Sequence, residues 1–392
     1  MRASVILCFL FVLLLPARTA QARTWHIKPD GTGDAPTIQA GIDSATAGDN
    51  VILECGTYHE FNIQVKSGIH LSSSTGLPEC VTINGDVQGT VIVLDHVDNS
   101  TTIAGLTITR GQPPWYPYFG SAGGGMSIVA SSPTLVNCRF LENYADHGDA
   151  WPGTDMGGGL YCDYSAPTLV NCAFIRNSTR GVGGGMFCDD SSPTLTNCTF
   201  SENSALSGGG LVCQHSYYPS SITLTDCVFS RNSANWGGAL WSNYSQVSLM
   251  HCTLAENSAS FMGSGIYSEG DTDAPITIAN TIVAFGQYGG RAVVESGYPG
   301  YITLTCCDLY GNGGGDWAGS IANQAGKSGN FSADPLFCDL NADNYTLKQC
   351  SPCAPGNNPQ VYDCGLVGAL PVGCTGTAIT ETTWGHIKAM FP

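Results

Sequence analysis

The sequence predicts an all-β protein: a single-stranded right-handed parallel β-helix, or solenoid, with a short capping helix at its N-terminal end. Three observations support this prediction: an internal repeat, a high glycine content, and three short strand patterns within each repeat. Glycine accounts for 50 of the 392 residues, whereas charged residues make up only 11%. Such a composition is typical of turn-rich β proteins rather than of helical enzymes.

Residues 1–22 predict a secretory signal peptide that is not part of the fold. An apolar run from Val5 to Leu15 follows the basic Arg2, and Ala20-Gln21-Ala22 provides small residues at a cleavage site. The apolar run is too short to span a membrane, and no later run is long enough. We therefore expect a secreted protein, extracellular or held at the cell surface, with no transmembrane span in the mature chain.

The mature chain is strongly acidic. Removal of residues 1–22 takes away two arginines and no acid, so the formal net charge goes from −17 to −19. Nucleic-acid binding depends on basic side chains that meet phosphates, and we therefore exclude a nucleic-acid partner. The charge also disfavours an anionic polysaccharide unless a cation such as Ca²⁺ bridges the two. We expect the protein to be a monomer.

Residues 23–62 are predicted to form the N-terminal cap and the first strand. Ile38, Ile42 and Ala45 recur at helical spacing, and Pro36 is placed to serve as a first-turn proline. A helix at this point would cover the open edge of the first coil, which would otherwise be a site for unwanted strand pairing.

Three motifs of this opening give it a family resemblance. They are D-G-x-G-x-x-x-T-I-Q-x-x-I at Asp30–Ile42, A-x-x-G-D at Ala45–Asp49 and G-x-Y-x-E at Gly56–Glu60. The opening resembles the N-terminal cap of pectin-lyase-like right-handed β-helix proteins. The resemblance implies that the cap is followed by coils of the same solenoid.

Residues 63–329 are predicted to form these coils. Leu169, Cys172 and Phe174 are predicted to point inward. Leu169 and Cys172 are three positions apart, so a bend between them must reverse the alternation of faces. Cys172 and Phe174 are two apart and lie on one face of a second strand. A third strand follows the triple glycine. The same core positions recur at Ile103/Leu106/Ile108, Leu135/Cys138/Phe140, Leu195/Cys198/Phe200, Leu224/Cys227/Phe229, Leu249/Cys252/Leu254, Ile278/Thr281/Val283 and Leu304/Cys307/Leu309.

Asparagine recurs at two bends of each coil. Asparagine tolerates the left-handed conformation that a bend needs, and stacked asparagine amides can hydrogen-bond to one another. One bend holds Asn137, Asn171 and Asn197, and the other holds Asn143, Asn177, Asn203, Asn232, Asn257 and Asn312. The Phe-x-x-Asn units and Gly237–Leu240 resemble the repeats of polymorphic outer-membrane proteins, and this resemblance implies a role in adhesion.

The cysteines allow two interpretations. Cys138, Cys172, Cys198, Cys227 and Cys252 form one predicted column, and Cys162, Cys188 and Cys213 form another. Either neighbouring rungs are joined by disulfides, or the thiols fill a narrow core as small hydrophobic groups. We favour the thiol ladder, because five cysteines in one column cannot all pair within it.

Outside these columns, disulfides are the default expectation for a secreted chain. Cys55 and Cys80 are predicted to pair between neighbouring coils. Residues 330–374 are predicted to form a cysteine-rich closing coil and C-terminal cap with further candidates at Cys338, Cys350, Cys353, Cys364 and Cys374. The last four would also suit zinc, but secretion favours disulfides. Residues 375–392 are expected to be a tail.

The resemblance to pectin-lyase-like proteins also raises the question of catalysis. The motifs that it implies for pectate lyases, pectinesterases and polygalacturonases are missing, except for the acidic pair Asp189-Asp190. Such a pair at a turn is usually solvated, and the same edge carries Asp163, Glu269, Asp271 and Asp273. No catalytic residue is assigned. A polysaccharide lyase or glycoside hydrolase with a non-standard site stays open as an alternative, because paired carboxylates can cleave glycosides.

Two insertions at one corner provide the candidate binding site. Gly111–Ala122 and Tyr144–Asp155 precede the glycine turn of successive coils and should lie side by side. Aromatic rings beside acids suit stacking and hydrogen bonding to a neutral glycan. The ligand-binding candidates are Trp115, Tyr116, Tyr118, Asp146, His147, Asp149, Trp151, Asp155 and Trp236.

Ca²⁺ is the only cofactor considered, with Asp146, Asp149 and Asp155 as its candidate ligands. The alternative is that the two insertions only pack on each other to cover one side of the helix. We expect a non-catalytic binding or adhesion protein that contacts carbohydrate or another cell-surface ligand. A polysaccharide-active enzyme and a structural component of the cell envelope are the alternatives.

Overall fold

The computed structural model describes residues 22–114, 122–146, 155–217, 220–297, 299–360 and 362–374. The chain begins with β1 (Thr24–Ile27) and helix α1 (Ile38–Ser44). The first three coils follow: β2 (Asn50–Leu53), β3 (Gly56–His59) and β4 (Ile63–Val65); β5 (His70–Ser73), β6 (Val81–Asn84) and β7 (Ile92–Asp95); β8 (Thr102–Ala104), β9 (Thr107–Thr109) and β10 (Met126–Val129).

The middle coils keep this three-strand order, and some have an extra short strand before the last one. They are β11 (Thr134–Val136), β12 (Arg139–Leu141), β13 (Tyr144–Ala145) and β14 (Leu160–Asp163); β15 (Thr168–Val170), β16 (Ala173–Ile175), β17 (Ser178–Thr179) and β18 (Met186–Asp189); β19 (Thr194–Thr196), β20 (Thr199–Ser201) and β21 (Leu211–Gln214); β22 (Ser221–Thr225), β23 (Val228–Ser230), β24 (Ser233–Trp236) and β25 (Leu240–Asn243).

The final coils are β26 (Gln246–Met250), β27 (Thr253–Ala255), β28 (Ser258–Met262) and β29 (Ile266–Gly270); β30 (Ile276–Ala279), β31 (Ile282–Ala284) and β32 (Val293–Gly297); and β33 (Ile302–Thr305) with β34 (Asp308–Tyr310). A 3₁₀ helix (Gly319–Gln324) and three further strands complete the described chain: β35 (Phe337–Asp339), β36 (Asn344–Lys348) and β37 (Val372–Cys374).

Three parallel sheets form the walls of the solenoid, as the sequence predicted. Within the described residues, sheet A has eleven strands (β1, β2, β5, β8, β11, β15, β19, β22, β26, β30, β33), sheet B has ten (β3, β6, β9, β12, β16, β20, β23, β27, β31, β34) and sheet C has nine (β4, β7, β10, β14, β18, β21, β25, β29, β32). Each coil therefore passes through A, B and C in turn, and the predicted parallel β-helix is confirmed.

Equivalent residues lie directly above one another in the core. Leu169 pairs with Leu195, and Phe174 pairs with Phe200. The rings of Phe140, Phe174, Phe200 and Phe229 form a continuous stack with centroids 4.6–4.7 Å apart. All four rings are fully buried. The hydrophobic columns that the repeat predicted are thus the core of the solenoid.

A buried ladder of asparagine side chains follows sheet B. The Nδ2 atom of each asparagine donates to the Oδ1 atom of the next, over 2.9–3.0 Å, from Asn143 through Asn177, Asn203 and Asn232 to Asn257. Each Oδ1 also accepts the backbone N–H of the asparagine before it. The second Nδ2 proton goes to a backbone carbonyl, as from Asn203 to Phe174.

The two asparagine positions have different roles, which the sequence did not distinguish. Asn137, Asn171 and Asn197 at the corner between sheets A and B have φ values of 51–53° and take the left-handed bend as predicted. At the second bend the left-handed residue is the one before the asparagine, such as Glu142 or Glu202. The asparagine there points inward, so its contribution is hydrogen bonding.

We predict that Asn203→Ala lowers the free energy of unfolding by about 3 kcal/mol, because it leaves several buried polar groups without partners. Denaturant-induced unfolding measures this loss. Asn197→Gly is the matched control. Asn197 lies at the other bend, between sheets A and B, and glycine keeps the left-handed conformation there. This variant should lower the free energy of unfolding by less than about 1 kcal/mol. Equal losses for the two variants would contradict the assigned role of the inner ladder.

The column cysteines carry free thiols. Cys162, Cys188 and Cys213 occupy equivalent positions on neighbouring strands of sheet C. Cys198 donates to the carbonyl of Leu169 over 3.6 Å and to that of Thr196 over 3.4 Å. Of the eleven free cysteines among the described residues, ten are buried and Cys350 is exposed. The thiols therefore fill the core, as the favoured interpretation proposed.

Alkylation under non-reducing conditions tests this arrangement. The native protein should gain one adduct at Cys350, and the denatured protein should gain eleven, because unfolding exposes the remaining thiols. Intact-mass spectrometry counts the adducts. Fewer than eleven adducts in denaturant would show that column thiols are joined by disulfides.

The N-terminal cap is held by side-chain contacts from the first coil. Helix α1 begins after Thr37, whose side chain accepts the N–H of Ala40. Pro36 therefore precedes the N-cap and is not in the first turn, which corrects the prediction. The carboxylate of Glu60 accepts the N–H of Ile38 over 2.8 Å, an interaction that suits a helix N-terminus. Cys55 forms a disulfide with Cys80 across a Cα–Cα distance of 4.5 Å.

The C-terminal end of the solenoid is covered by the 3₁₀ helix. Gln324 accepts the N–H of Leu304 on the last strand of sheet A and donates to the carbonyl of Ile302, both over 2.8 Å. Ile321 of the same helix is buried. Among the described residues, no helix is long and apolar enough to cross a membrane.

The cysteine-rich segment begins on the last rung of the solenoid, where Asn330 contacts Leu304 and Phe331 bridges Asp308, and then packs along the outer face of sheet B. Its Phe337, Tyr345 and Val367 form a second hydrophobic cluster with residues of sheet B such as Val228 and Ile282. Disulfides join Cys306 to Cys364 and Cys338 to Cys374. The other two candidates, Cys350 and Cys353, are free thiols, so the predicted participation of these two in disulfides is wrong.

Polar contacts fix this segment to the coils. Arg231 donates to the carbonyl of Leu340 over 2.9 Å, and Tyr345 donates to the carboxylate of Glu256 over 2.9 Å. Asp308 on β34 is buried beneath the segment, where it accepts the N–H of Ala333 and the thiol of Cys353. Burial raises the pKa of Asp308 to about 7.

The raised pKa of Asp308 predicts a loss of stability with rising pH. The folded state holds the proton more tightly than the unfolded chain, whose pKa is near 3.8. The contribution of Asp308 to the free energy of unfolding is therefore fully present below about pH 4. It falls by roughly 1 kcal/mol per pH unit up to about pH 7. Asp308→Asn removes this term, and urea unfolding of both proteins across the range measures it. A difference between the two proteins that does not change with pH would contradict the assignment.

Candidate functional site

The glycine turns bring the two insertions to one corner of the solenoid. Bridges link Ala122 to Met156 and Met156 to Val182 at this corner. A Cβ atom on Gly184 would lie 2.5 Å from the carbonyl oxygen of Gly209, so only glycine allows the coils to stack here. Insertions just before the turns therefore project from one line along the solenoid.

The described ends of the two insertions lie side by side, as the sequence predicted. The N–H of Tyr144 donates to the carbonyl of Gly111 over 2.9 Å, and the side chain of Gln112 donates to the carbonyl of Asp146. Six predicted ligand-binding residues lie outside the described residues: Trp115, Tyr116, Tyr118, His147, Asp149 and Trp151.

The three described candidates are spread along the corner. Asp146 forms an ion pair with Arg180 over 3.7 Å. Asp155 is only 6% exposed, and its carbonyl accepts the N–H of Val182. Trp236 lies against Phe261, with ring centroids 5.0 Å apart. No group of three metal-ligating side chains occurs within the part of the chain that the structure describes, and Ca²⁺ binding at Asp146, Asp149 and Asp155 stays a prediction.

A groove opens beside this corner, over the outer face of sheet C. Its volume is about 500 Å³. One wall consists of the ends of the insertions, and the floor consists of outward side chains from the first four strands of sheet C. The lining residues include Pro113, Pro114, Ala122, Met156, Gln64, Val93, Ser127, Tyr161 and Asp163.

Two columns of side chains cover the outer face of sheet C. The parallel register places Tyr161 beside Phe187 and Asp163 beside Asp189, and it continues on both sides. The ring column contains Gln64, Val93, Ser127, Tyr161, Phe187, Val212, Trp241, Tyr267 and Val294. The polar column contains Asp95, Val129, Asp163, Asp189, Gln214, Asn243, Glu269 and Ser296.

The sequence interpretation missed these columns. Each third strand has the alternation of a two-faced strand, in which Leu160 and Cys162 point inward and Tyr161 and Asp163 point outward. That alternation is visible in the sequence, but only the inward residues entered the prediction. The polar column is half-buried along most of its length, whereas Phe187, Val212, Tyr267 and Val294 of the ring column are buried.

Asp163 and Asp189 are half-buried and Asp190 is buried, which corrects the interpretation of these three as part of a solvated edge. Burial, and then the nearby charges of Asp189 and Asp190, raise the pKa of Asp163 to about 6. Burial also raises the pKa of Asp189. Asp190 is 8% exposed and accepts the N–H groups of Ser216 and Tyr217. Half-buried carboxylates in a groove are common at functional sites.

Two polar atoms of this face lack a hydrogen-bond partner. They are Oδ1 of Asp189 and Nε1 of Trp241, both buried, and neither meets a partner among the described residues. Buried polar atoms are nearly always hydrogen-bonded, so each one without a partner indicates a place for a ligand or water. One atom accepts and the other donates, which matches the hydroxyl groups of a sugar.

A second hollow of about 370 Å³ lies at the corner between sheets C and A. It is lined by His215, Ser220, Tyr244, Gln246, Asp271, Asp273 and Ala274. The Nδ1 atom of His215 is hydrogen-bonded to the carbonyl oxygen of Tyr244 over 3.1 Å. No buried polar atom of this hollow lacks a partner in the described chain, so the groove over sheet C is the stronger candidate.

The solenoid and its outer groove define the chain as a parallel β-helix protein. The family model for a right-handed β-helix region matches residues 41–254, so the chain belongs to the right-handed β-helix family. The match also confirms the predicted handedness. A comparison with curated proteins gave no match.

Solved structures show the same fold at low sequence identity. Pectate lyase Pel9A has a TM-score of 0.50 and 13% identity, and the alignment covers 90% of this chain and 97% of the lyase. Pectin methylesterase PemA from Erwinia chrysanthemi has a TM-score of 0.40 and 10% identity, with 74% of this chain and 93% of the esterase covered. At 13% identity the similarity to Pel9A establishes the fold alone.

Proposed function

We propose that this protein is a secreted, non-catalytic carbohydrate-binding protein whose ligand occupies the groove over sheet C. The observation that carries the proposal is the groove itself, where the insertion ends meet Tyr161 and Asp163. Aromatic faces pack against the C–H faces of sugar rings, and carboxylates accept their hydroxyl protons. The predicted signal peptide and the three disulfides support secretion.

Extended carbohydrate fits the shape of this surface better than a compact ligand. The half-buried polar column continues over successive rungs about 4.8 Å apart, so equivalent polar contacts repeat in one direction. A ligand with repeating units would use several of them. Adhesion to a surface glycan is the biological role that this geometry supports.

Binding to a glycan array, with and without Ca²⁺, tests the proposal. We expect one glycan class to bind, and we expect Tyr161→Ala to weaken that binding about tenfold through loss of one stacking contact. Tyr362→Ala is the matched control, because Tyr362 is 51% exposed on the segment that covers sheet B. Loss of binding in the control alone, or no binding to any glycan, would contradict the proposal.

The role of the two insertions in ligand binding can be tested separately. Trp115→Ala and Trp151→Ala should each weaken binding if the insertion tips contact the ligand. Unchanged binding in both variants would limit the site to the sheet C groove and would overturn the predicted role of the tips.

A second candidate function is glycoside hydrolysis. The observation that favours it is the adjacent pair Asp163 and Asp189, whose pKa values are both raised. A glycosidase needs one protonated carboxyl group as the acid and a second, ionised one. Release of reducing ends from the bound glycan, abolished by Asp163→Asn, would establish catalysis and overturn the non-catalytic proposal.

A further inference from the structure

The ionisable side chains of sheet C have one sign. Its nine described strands contain four outward carboxylates, at Asp95, Asp163, Asp189 and Glu269, one more at Glu295 in register with the inward Ser268, and no lysine, arginine or histidine. A sheet that binds an anionic sugar through its side chains would need cations on this face. The excess of acidic over basic side chains on sheet C therefore limits the charge that the ligand can carry.

Three of these carboxylates already have protein partners. Asp95 is paired with His96, Glu269 accepts the hydroxyl of Tyr267, and Glu295 accepts three backbone N–H groups. Of the other two, Asp163 and Asp189, the Oδ2 atom of Asp189 accepts the hydroxyl of Ser216 over 2.9 Å, while its Oδ1 atom has no partner among the described residues. No salt bridge among the described residues includes either one. Asp163 lies on the floor of the groove, and Asp189 lies on the adjacent rung, just beyond it.

The two carboxylates disfavour each other's charge. They are half-buried, their Cα atoms pair in register, and rungs are about 4.8 Å apart. Water screens such a pair less than it screens an exposed one, so like charges there are unfavourable. A ligand cation between them would offset the repulsion, whereas a uronate would add to it.

The groups present suit an ammonium ion better than a metal ion. Ca²⁺ takes six to eight oxygen ligands, and no group of three acidic or other metal-ligating side chains occurs in the described part of this face. An ammonium group has three donors and needs fewer acceptors. The buried Oδ1 atom of Asp189, which lacks a partner, is one acceptor in place.

We infer that the groove binds a glycan with free amino groups, of the glucosamine type, and that its ammonium groups lie against Asp163 and Asp189. The inference rests on the proposed function and names its ligand class. A sugar ring lies against the half-buried Tyr161, whose own ring stacks on the buried ring of Phe187 with centroids 5.8 Å apart.

Calorimetric titration with matched oligosaccharides tests the inference. The probes are a glucosamine hexamer, its fully N-acetylated counterpart and a galacturonate hexamer, all at low salt. We expect the glucosamine hexamer to bind at least about tenfold more tightly than the acetylated one, because only the former carries the cations. The galacturonate hexamer should not bind.

Charge-neutral variants assign the effect to the two carboxylates. The double variant Asp163→Asn and Asp189→Asn should bind glucosamine and acetylated hexamers equally. The matched control is the double variant Asp271→Asn and Asp273→Asn, which removes two acids from the second hollow and should keep the preference. Melting temperatures show that both variants are folded, and the first should not be lower than the wild type.

The outcomes separate the inference from the proposed function. Equal binding of the acetylated and free-amine hexamers by the wild type would overturn the inference and leave carbohydrate binding intact. A preference that persists without Asp163 and Asp189 would overturn the assigned site. Failure of every glycan to bind would overturn both proposals.

Discussion

The structure depends on the requirement that each inward side chain stack on its own equivalent one rung away. Strand spacing fixes that distance at about 4.8 Å, so the core favours groups that pack well on copies of themselves. Phenylalanine rings do so as a parallel stack, and asparagine amides do so as a closed hydrogen-bond ladder from Asn143 to Asn257. Thiols fill the remaining narrow space. The repeat in the sequence is the direct consequence of this requirement.

The same register organises the outer surface. A strand with two faces cannot place Leu160 and Cys162 in the core without directing Tyr161 and Asp163 outward, and the next rung repeats the pattern. Outer residues are free of the core's packing requirement, so they can be selected for another purpose. Here they place rings beside rings and carboxylates beside carboxylates. Carboxylates in this arrangement repel, and the fold tolerates the repulsion beside a groove that can admit a ligand.

The sequence was sufficient to predict what repeats, because inward positions recur with a recognisable spacing. The coils, the core columns, the thiol ladder and the corner that holds the insertions all follow from that spacing. The packing of Phe337 and Tyr345 on sheet B was not predictable, because this segment has no repeat and its partners lie far away in the chain. The outer columns were missed although Tyr161 and Asp163 alternate with core residues, since their environment depends on neighbouring rungs. The raised pKa of Asp163 needs the burial that only the folded chain provides.

Membership of the right-handed β-helix family establishes the architecture, and the ligand must be argued from the face of sheet C. The central claim is that this face, beside the insertion corner, is where the protein meets carbohydrate. A crystal structure of the complex with a glucosamine oligosaccharide tests it most directly. The account predicts a sugar ring against Tyr161, with an amino group within hydrogen-bond distance of Asp163 or Asp189. Ligand density confined to the hollow lined by Tyr244 and Asp271, or to the outer face of sheet B, would contradict it.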